Sequence, residues 1–133
     1  MERITPQAEV RSMFFPIEEW APAFALTVIA EAVVVVLALR RQVASLFRLA
    51  LLCLFANLAT HPIVWFVIPQ LVLPGTAAYT AVAETWAVAA EALFYWAAVQ
   101  GVRARRAFLV SLAANATSFV LGRLIGGVLA GAS

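Results

Sequence analysis

Four apolar stretches, each long enough to cross a bilayer, run from Trp20 to Leu39, Leu46 to Ile68, Thr76 to Val99 and Ala107 to Ala130. A hydrocarbon core about 30 Å thick takes roughly 20 residues of α-helix, so each stretch can span it once. The whole chain agrees: 65% of its residues are hydrophobic and 12% charged, against about 25% charged in soluble domains. The fold class read from this is an all-α integral membrane protein, a four-transmembrane-helix bundle of two tandem helical hairpins with a short N-terminal interfacial helix. The expected divisions are 1–19 for the interfacial segment, 20–70 for the first hairpin and 71–133 for the second, in one bundle.

The N-terminal segment carries Glu2, Glu9, Glu18 and Glu19 and lacks a short apolar core with a small-residue cleavage site, so it is expected to be retained. Thr5-Pro6 suits a helix start, and Val10, Met13 and Phe14 with Arg3, Glu9 and Arg11 suit an amphipathic helix on the bilayer, ended by Pro16. Between the first and second spans lie Arg40, Arg41 and Arg48; between the third and fourth lie Arg103, Arg105 and Arg106. Short arginine-rich loops face the cytoplasm. The expected location is therefore a bacterial inner membrane, with residues 40–48 and 101–106 cytoplasmic and both termini outside. The net charge of +2 is accounted for by these loops, and nucleic acid is not implied. Cys53 is the single cysteine and cannot form an intrachain disulfide.

A carboxylate sits in the middle of the first apolar run, and the chain writes it twice. Val28-Ile29-Ala30-Glu31-Ala32-Val33 matches Val88-Ala89-Ala90-Glu91-Ala92-Leu93, and Leu54-Phe55-Ala56-Asn57-Leu58-Ala59-Thr60 matches Leu112-Ala113-Ala114-Asn115-Ala116-Thr117-Ser118. Such a repeat predicts a helical hairpin with Glu on its first arm and Asn on its second, the two copies related by a pseudo-twofold axis along the membrane normal. Counted from the loop arginines, Glu31, Asn57, Glu91 and Asn115 all lie ~13 to 18 Å deep, in one layer near the bilayer centre. Thr60 and Ser118, three residues beyond each Asn, share its helix face.

Three ionisable residues belong to one copy only. Under the repeat, Glu84 matches Phe24, His61 matches Phe119 and Arg123 matches Trp65. All three lie outward of the Glu–Asn layer. Because symmetry is broken at them, they are the first candidates for specialised chemistry. A Glu84–Arg123 ion pair would lower the cost of two charges that is otherwise about 2.5 to 3.5 kcal/mol each at a helix centre. For His61, the plainer expectation is a histidine holding the carbonyl freed by Pro62, which also predicts a kink. Trp65, Trp86 and Trp96 with Tyr79 and Tyr95 read as packing or interfacial anchors, and Trp20 as the outer end of the first span. Gly122, Gly126, Gly127 and Gly131 form small-xxx-small patterns expected to make a packing seam in the bundle or a dimer face.

The candidate ligand- or ion-binding set is thus Glu31, Asn57, Thr60, His61, Glu84, Glu91, Asn115, Ser118 and Arg123. A divalent metal on His61, Glu84 and Glu91 is a further expectation, since a lone His among oxygen ligands suits zinc or manganese. The di-metal Glu-x-x-His design is absent, as are a Ser-His-acid triad, His-Glu-x-x-His and a phosphate-cradling glycine loop, so the sequence does not point to catalysis. Three functions follow from the buried layer: binding or passing a proton, cation or small solute; service as an accessory or assembly subunit of a larger membrane complex; or intramembrane metal-dependent hydrolysis. The partners expected are the lipid bilayer and either further copies of the chain or other membrane subunits. Carboxyl groups can exchange a proton for a cation, which suits the first function.

Overall fold

A computed structural model describes residues 17–131, so the expected interfacial helix lies outside the described residues, apart from Ile17–Glu19. Those three residues open the first helix. Four helices follow in order: α1 (Ile17–Leu39), α2 (Leu46–Pro62), α3 (Ala77–Ala98) and α4 (Ala104–Gly131). α1 packs on α2, α2 on α3, α3 on α4 and α4 back on α1, closing a square. Among the described residues three helical segments are long and apolar enough to cross a membrane: Ile17–Leu39, Leu46–Gln70 and Ala104–Val128. α3 matches them in length, but Glu84, Glu91 and its Tyr and Trp residues lower its apolarity. The chain is an integral membrane protein whose lipid-facing surface carries exposed Ile29, Leu37, Phe55, Leu93 and Leu124.

The helix ends have local causes. Ser45 accepts a hydrogen bond from Arg48 N (3.4 Å) and Thr76 from Tyr79 N (3.2 Å), capping α2 and α3. Gly75 and Gly101 have φ of 79° and 77°, the left-handed turn that precedes or follows a helix. At the arginine-rich end, Arg106 Nη2 donates to Ala38 O (2.7 Å), which satisfies a C-terminal carbonyl of α1 and ties the outer helices together. Arg40, Arg41, Arg48, Arg103 and Arg105 are exposed there too.

Pro62 does not simply kink its helix. The chain passes directly into a π-helix over Ile63–Val67 and then a 3-10 turn over Ile68–Gln70. A prolyl ring removes one donor and crowds the preceding turn, and widening the helix absorbs both effects without a break. Tyr79 on α3 donates its hydroxyl to Val64 O (3.0 Å), serving a carbonyl in this irregular stretch.

Of the two roles expected of the α4 glycine pattern, the seam inside the bundle is not formed. A Cβ built on Gly122, Gly126 or Gly127 meets no atom within 4 Å, so these residues do not form a seam inside the bundle. Among the described residues, no atom packs closely on this face of α4. Gly126→Ala is accordingly expected to leave the fold intact and to raise stability by up to about 1 kcal/mol through helix propensity, measured by unfolding in mixed micelles.

Candidate functional site: a closed polar ring beneath an axial cleft

The centre of the bundle is polar. Glu31 is 0% and Glu91 1% exposed, with Asn57, Thr60, Ser111 and Asn115 also buried. Each carboxyl is held by its own hairpin and by the other. Asn57 Nδ2 donates to Glu31 Oε2 at 2.8 Å and Asn115 Nδ2 to Glu91 Oε2 at 2.8 Å. Across the hairpins, Ser118 Oγ donates to Glu31 Oε1 (2.8 Å) and Thr60 Oγ1 to Glu91 Oε1 (3.1 Å). These four bonds bridge α1–α2, α2–α3, α3–α4 and α4–α1, one at each side of the square, so the ring is closed.

The supporting contacts repeat in the same register. Ser111 Oγ donates to Val88 O (3.0 Å), as the Cys53 thiol faces Val28 O (4.0 Å). Asn115 Nδ2 reaches Ser111 O (3.0 Å) and Asn57 Nδ2 reaches Cys53 O (3.1 Å). These pairs coincide with the sequence repeat, which explains why one Asn face serves two partners: residues four apart lie on one helix stripe. Ser111 adds a longer bond to Glu91 Oε2 (3.4 Å).

Ser111 was not among the residues singled out from sequence, although its spacing four before Asn115, at the position matching Cys53, was available as a signal. The exchange of hydroxyls between hairpins was not visible either. Sequence reading gave each half its own Glu, amide and hydroxyl, whereas the structure assigns the hydroxyl to the opposite Glu. Tyr95, read as a packing or interfacial anchor, is fully buried against the core of Val35, Leu39, Leu49 and Cys53.

Outward of the ring, away from the arginine-rich end, lies a cleft of about 230 Å³ with walls from all four helices. His61, Trp65, Glu84 and Arg123 line it, and Asn115 and Ser118 of the ring are part of its lining. The structure thus brings the three symmetry-breaking residues into one space adjoining the polar layer. It does not pair Glu84 with Arg123: among the described residues no ion pair joins them. Glu84 is half-buried on α3 and Arg123 exposed on α4, so the cleft separates the two charges that sequence reasoning put together.

His61 also departs from expectation. Its Nδ1 is buried with no hydrogen-bond partner among the described residues, so it does not hold a freed carbonyl. Its ring packs among Phe24 (5.4 Å, edge-on), Trp65 (6.0 Å, stacked) and Trp20 (6.2 Å). Trp20 stacks on Phe24 at 5.0 Å, and its indole N–H is likewise buried and unpartnered. It belongs to this aromatic cluster, in the first turn of α1. The proposed metal set does not assemble: His61 and Glu84 line the cleft while Glu91 is occupied in the ring, and no group of three His, Cys, Asp or Glu side chains converges among the described residues.

No protein-family model matches this chain, and comparison with curated proteins and with solved structures finds no match.

Proposed function

We propose that the chain is a small membrane carrier in which the outward cleft admits a proton, a cation or a small solute and couples it to the Glu31–Glu91 pair. In this reading α3 crosses the bilayer with the other three helices, the arginine-rich loops are cytoplasmic and the cleft faces outward. One observation carries the proposal: the residues that break the repeat, His61, Glu84 and Arg123, line a single cleft together with Asn115 and Ser118, the donors to Glu91 and Glu31. Intramembrane ionisable residues cost energy, so their collection around a polar-floored space supports transport more than packing. A buried carboxyl can hold a proton and release it when a cation or a rearranged donor takes its place.

The test is proton flux into liposomes containing the purified protein, followed with an internal pH dye under an imposed gradient. The wild-type chain is expected to exceed protein-free liposomes, and Glu31→Gln with Glu91→Gln to reduce the flux at least tenfold while thermal unfolding shows the bundle retained. Wild-type flux at background, or undiminished flux in the double variant, would overturn the carrier reading.

A second reading, a non-catalytic subunit of a larger membrane complex, is favoured by a different observation. Every carboxyl oxygen of the ring is already bonded within the chain, so the ring can serve as a belt holding four helices. Under it, flux stays at background and the chain purifies from membranes with a partner in fixed stoichiometry.

A further inference from the structure

Glu84 borders two spaces. Besides the axial cleft, it stands at a groove of about 410 Å³ along the seam of α3 and α4, whose walls include Ala89, Phe108, Leu112, Ala116 and Phe119. Phe108, Leu112 and Phe119 are 48%, 44% and 42% exposed, so the groove opens to the bilayer and not to the bundle axis. From Phe108 to Phe119 it follows eleven residues of helix, ~16 Å of apolar wall. Glu84 is the one ionisable side chain lining it.

The repeat shows what distinguishes this groove from the matching surface of the first hairpin. At the matching positions of the first hairpin stand Phe24, Ile29 and Leu58 where the second has Glu84, Ala89 and Ala116. Ile29 and Leu58 project from the α1–α2 surface, 66% and 43% exposed. The second hairpin therefore carries less bulk at two of these positions and a carboxylate at the third. A cavity and a charge at the same seam are complementary to one kind of molecule, with a hydrocarbon chain and a positive head.

We propose that this groove binds a single-chain lipophilic amine taken from the bilayer, its chain lying between Phe108 and Phe119 and its ammonium against Glu84. Among the described residues Glu84 has no ion-pair partner, and an entering cation would lessen the cost of a carboxylate at this depth. The neighbouring Phe119 ring offers a second cation-attracting surface. Arg123 and His61 face Glu84 from the cleft side and do not line the groove, so neither competes for the chain's path. This binding site goes beyond proton coupling and can exist whether or not the carrier reading holds.

The experiment is photolabelling in phosphatidylcholine liposomes with dodecylamine carrying a diazirine at its chain end, against the matching dodecanol probe, with labelled peptides mapped by mass spectrometry. The amine is expected to label the α3–α4 seam at least tenfold more than the alcohol, and Glu84→Gln to remove that preference. Ala89→Ile with Ala116→Leu, which copies the bulk already present in the first hairpin, is expected to abolish seam labelling with unchanged thermal unfolding. Equal labelling by amine and alcohol would overturn the proposal, leaving a seam filled by ordinary acyl chains. So would labelling that survives both Glu84→Gln and the bulk-restoring pair. Because the readout is binding, failure of the flux assay leaves this result interpretable.

Discussion

Glu91→Ala is expected to destabilise the bundle by about 2 to 5 kcal/mol, more than any other single truncation in the ring. Glu91 accepts three hydrogen bonds, from Thr60, Asn115 and Ser111, and interhelical bonds in membranes are worth about 0.6 kcal/mol on average and up to about 1.7. The donors are not left stranded, because each keeps a backbone acceptor: Thr60 with Ala56 O (3.1 Å), Asn115 with Ser111 O (3.0 Å) and Ser111 with Val88 O (3.0 Å). The loss is therefore that of the bonds themselves, with no added penalty for orphaned donors. Glu31 accepts only two such bonds, so Glu31→Ala should cost less, about 1 to 3.5 kcal/mol. Reversible unfolding in mixed micelles measures both. An unfolding free energy for Glu91→Ala within about 0.5 kcal/mol of wild type would show that the ring contributes little to the fold.

Ala56→Leu with Ala114→Leu is expected to cost about 2 to 6 kcal/mol, from about 1 to 3 for each overpacked site. Ala56 and Ala114 immediately precede the two Asn residues and are 1% and 0% exposed. A larger side chain there has to push two helices apart at the level where the ring closes. The two sites share one layer, so their costs need not add, and a double-mutant cycle will report the coupling. Ala89, on the lipid-facing surface of α3, provides the control: Ala89→Ile alone should leave unfolding within about 0.5 kcal/mol of wild type. A double variant as stable as wild type would mean that helix spacing at the ring is not set by these alanines.

Much of the architecture was legible because it follows from composition and period. The apolar runs located the helices, with Thr76 opening the third, and the doubled Glu and Asn showed which positions share a level. Helix rise is constant, so depth could be counted along the chain. What could not be counted was rotation about the bundle axis. Which hydroxyl reaches which carboxyl depends on how two hairpins face each other, and no spacing within one hairpin encodes that. The same gap explains the misplaced Glu84–Arg123 pair: equal depth is necessary for contact, but a cleft at the bundle centre holds the two side chains apart. The expectation of a seam inside the bundle at the α4 glycines failed for a related reason. A small-residue pattern shows that a helix can be approached closely, while only the placement of neighbours shows whether anything approaches.

By itself, the sequence determined a membrane-embedded helical chain, a repeated Glu–Asn layer at one level of the helices and three residues at which the repeat is broken. These are one-dimensional properties, set by hydrophobicity and by a fixed rise per residue. Only the tertiary structure decided that the layer is a ring closed reciprocally between hairpins, that His61, Glu84 and Arg123 share one cleft, and that Glu84 also borders a groove open to the lipid. Those depend on the azimuth of each helix, which is set by packing among four helices at once: alanines at 56 and 114 inside, and bulk at 29 and 58 but not at 89 and 116 outside.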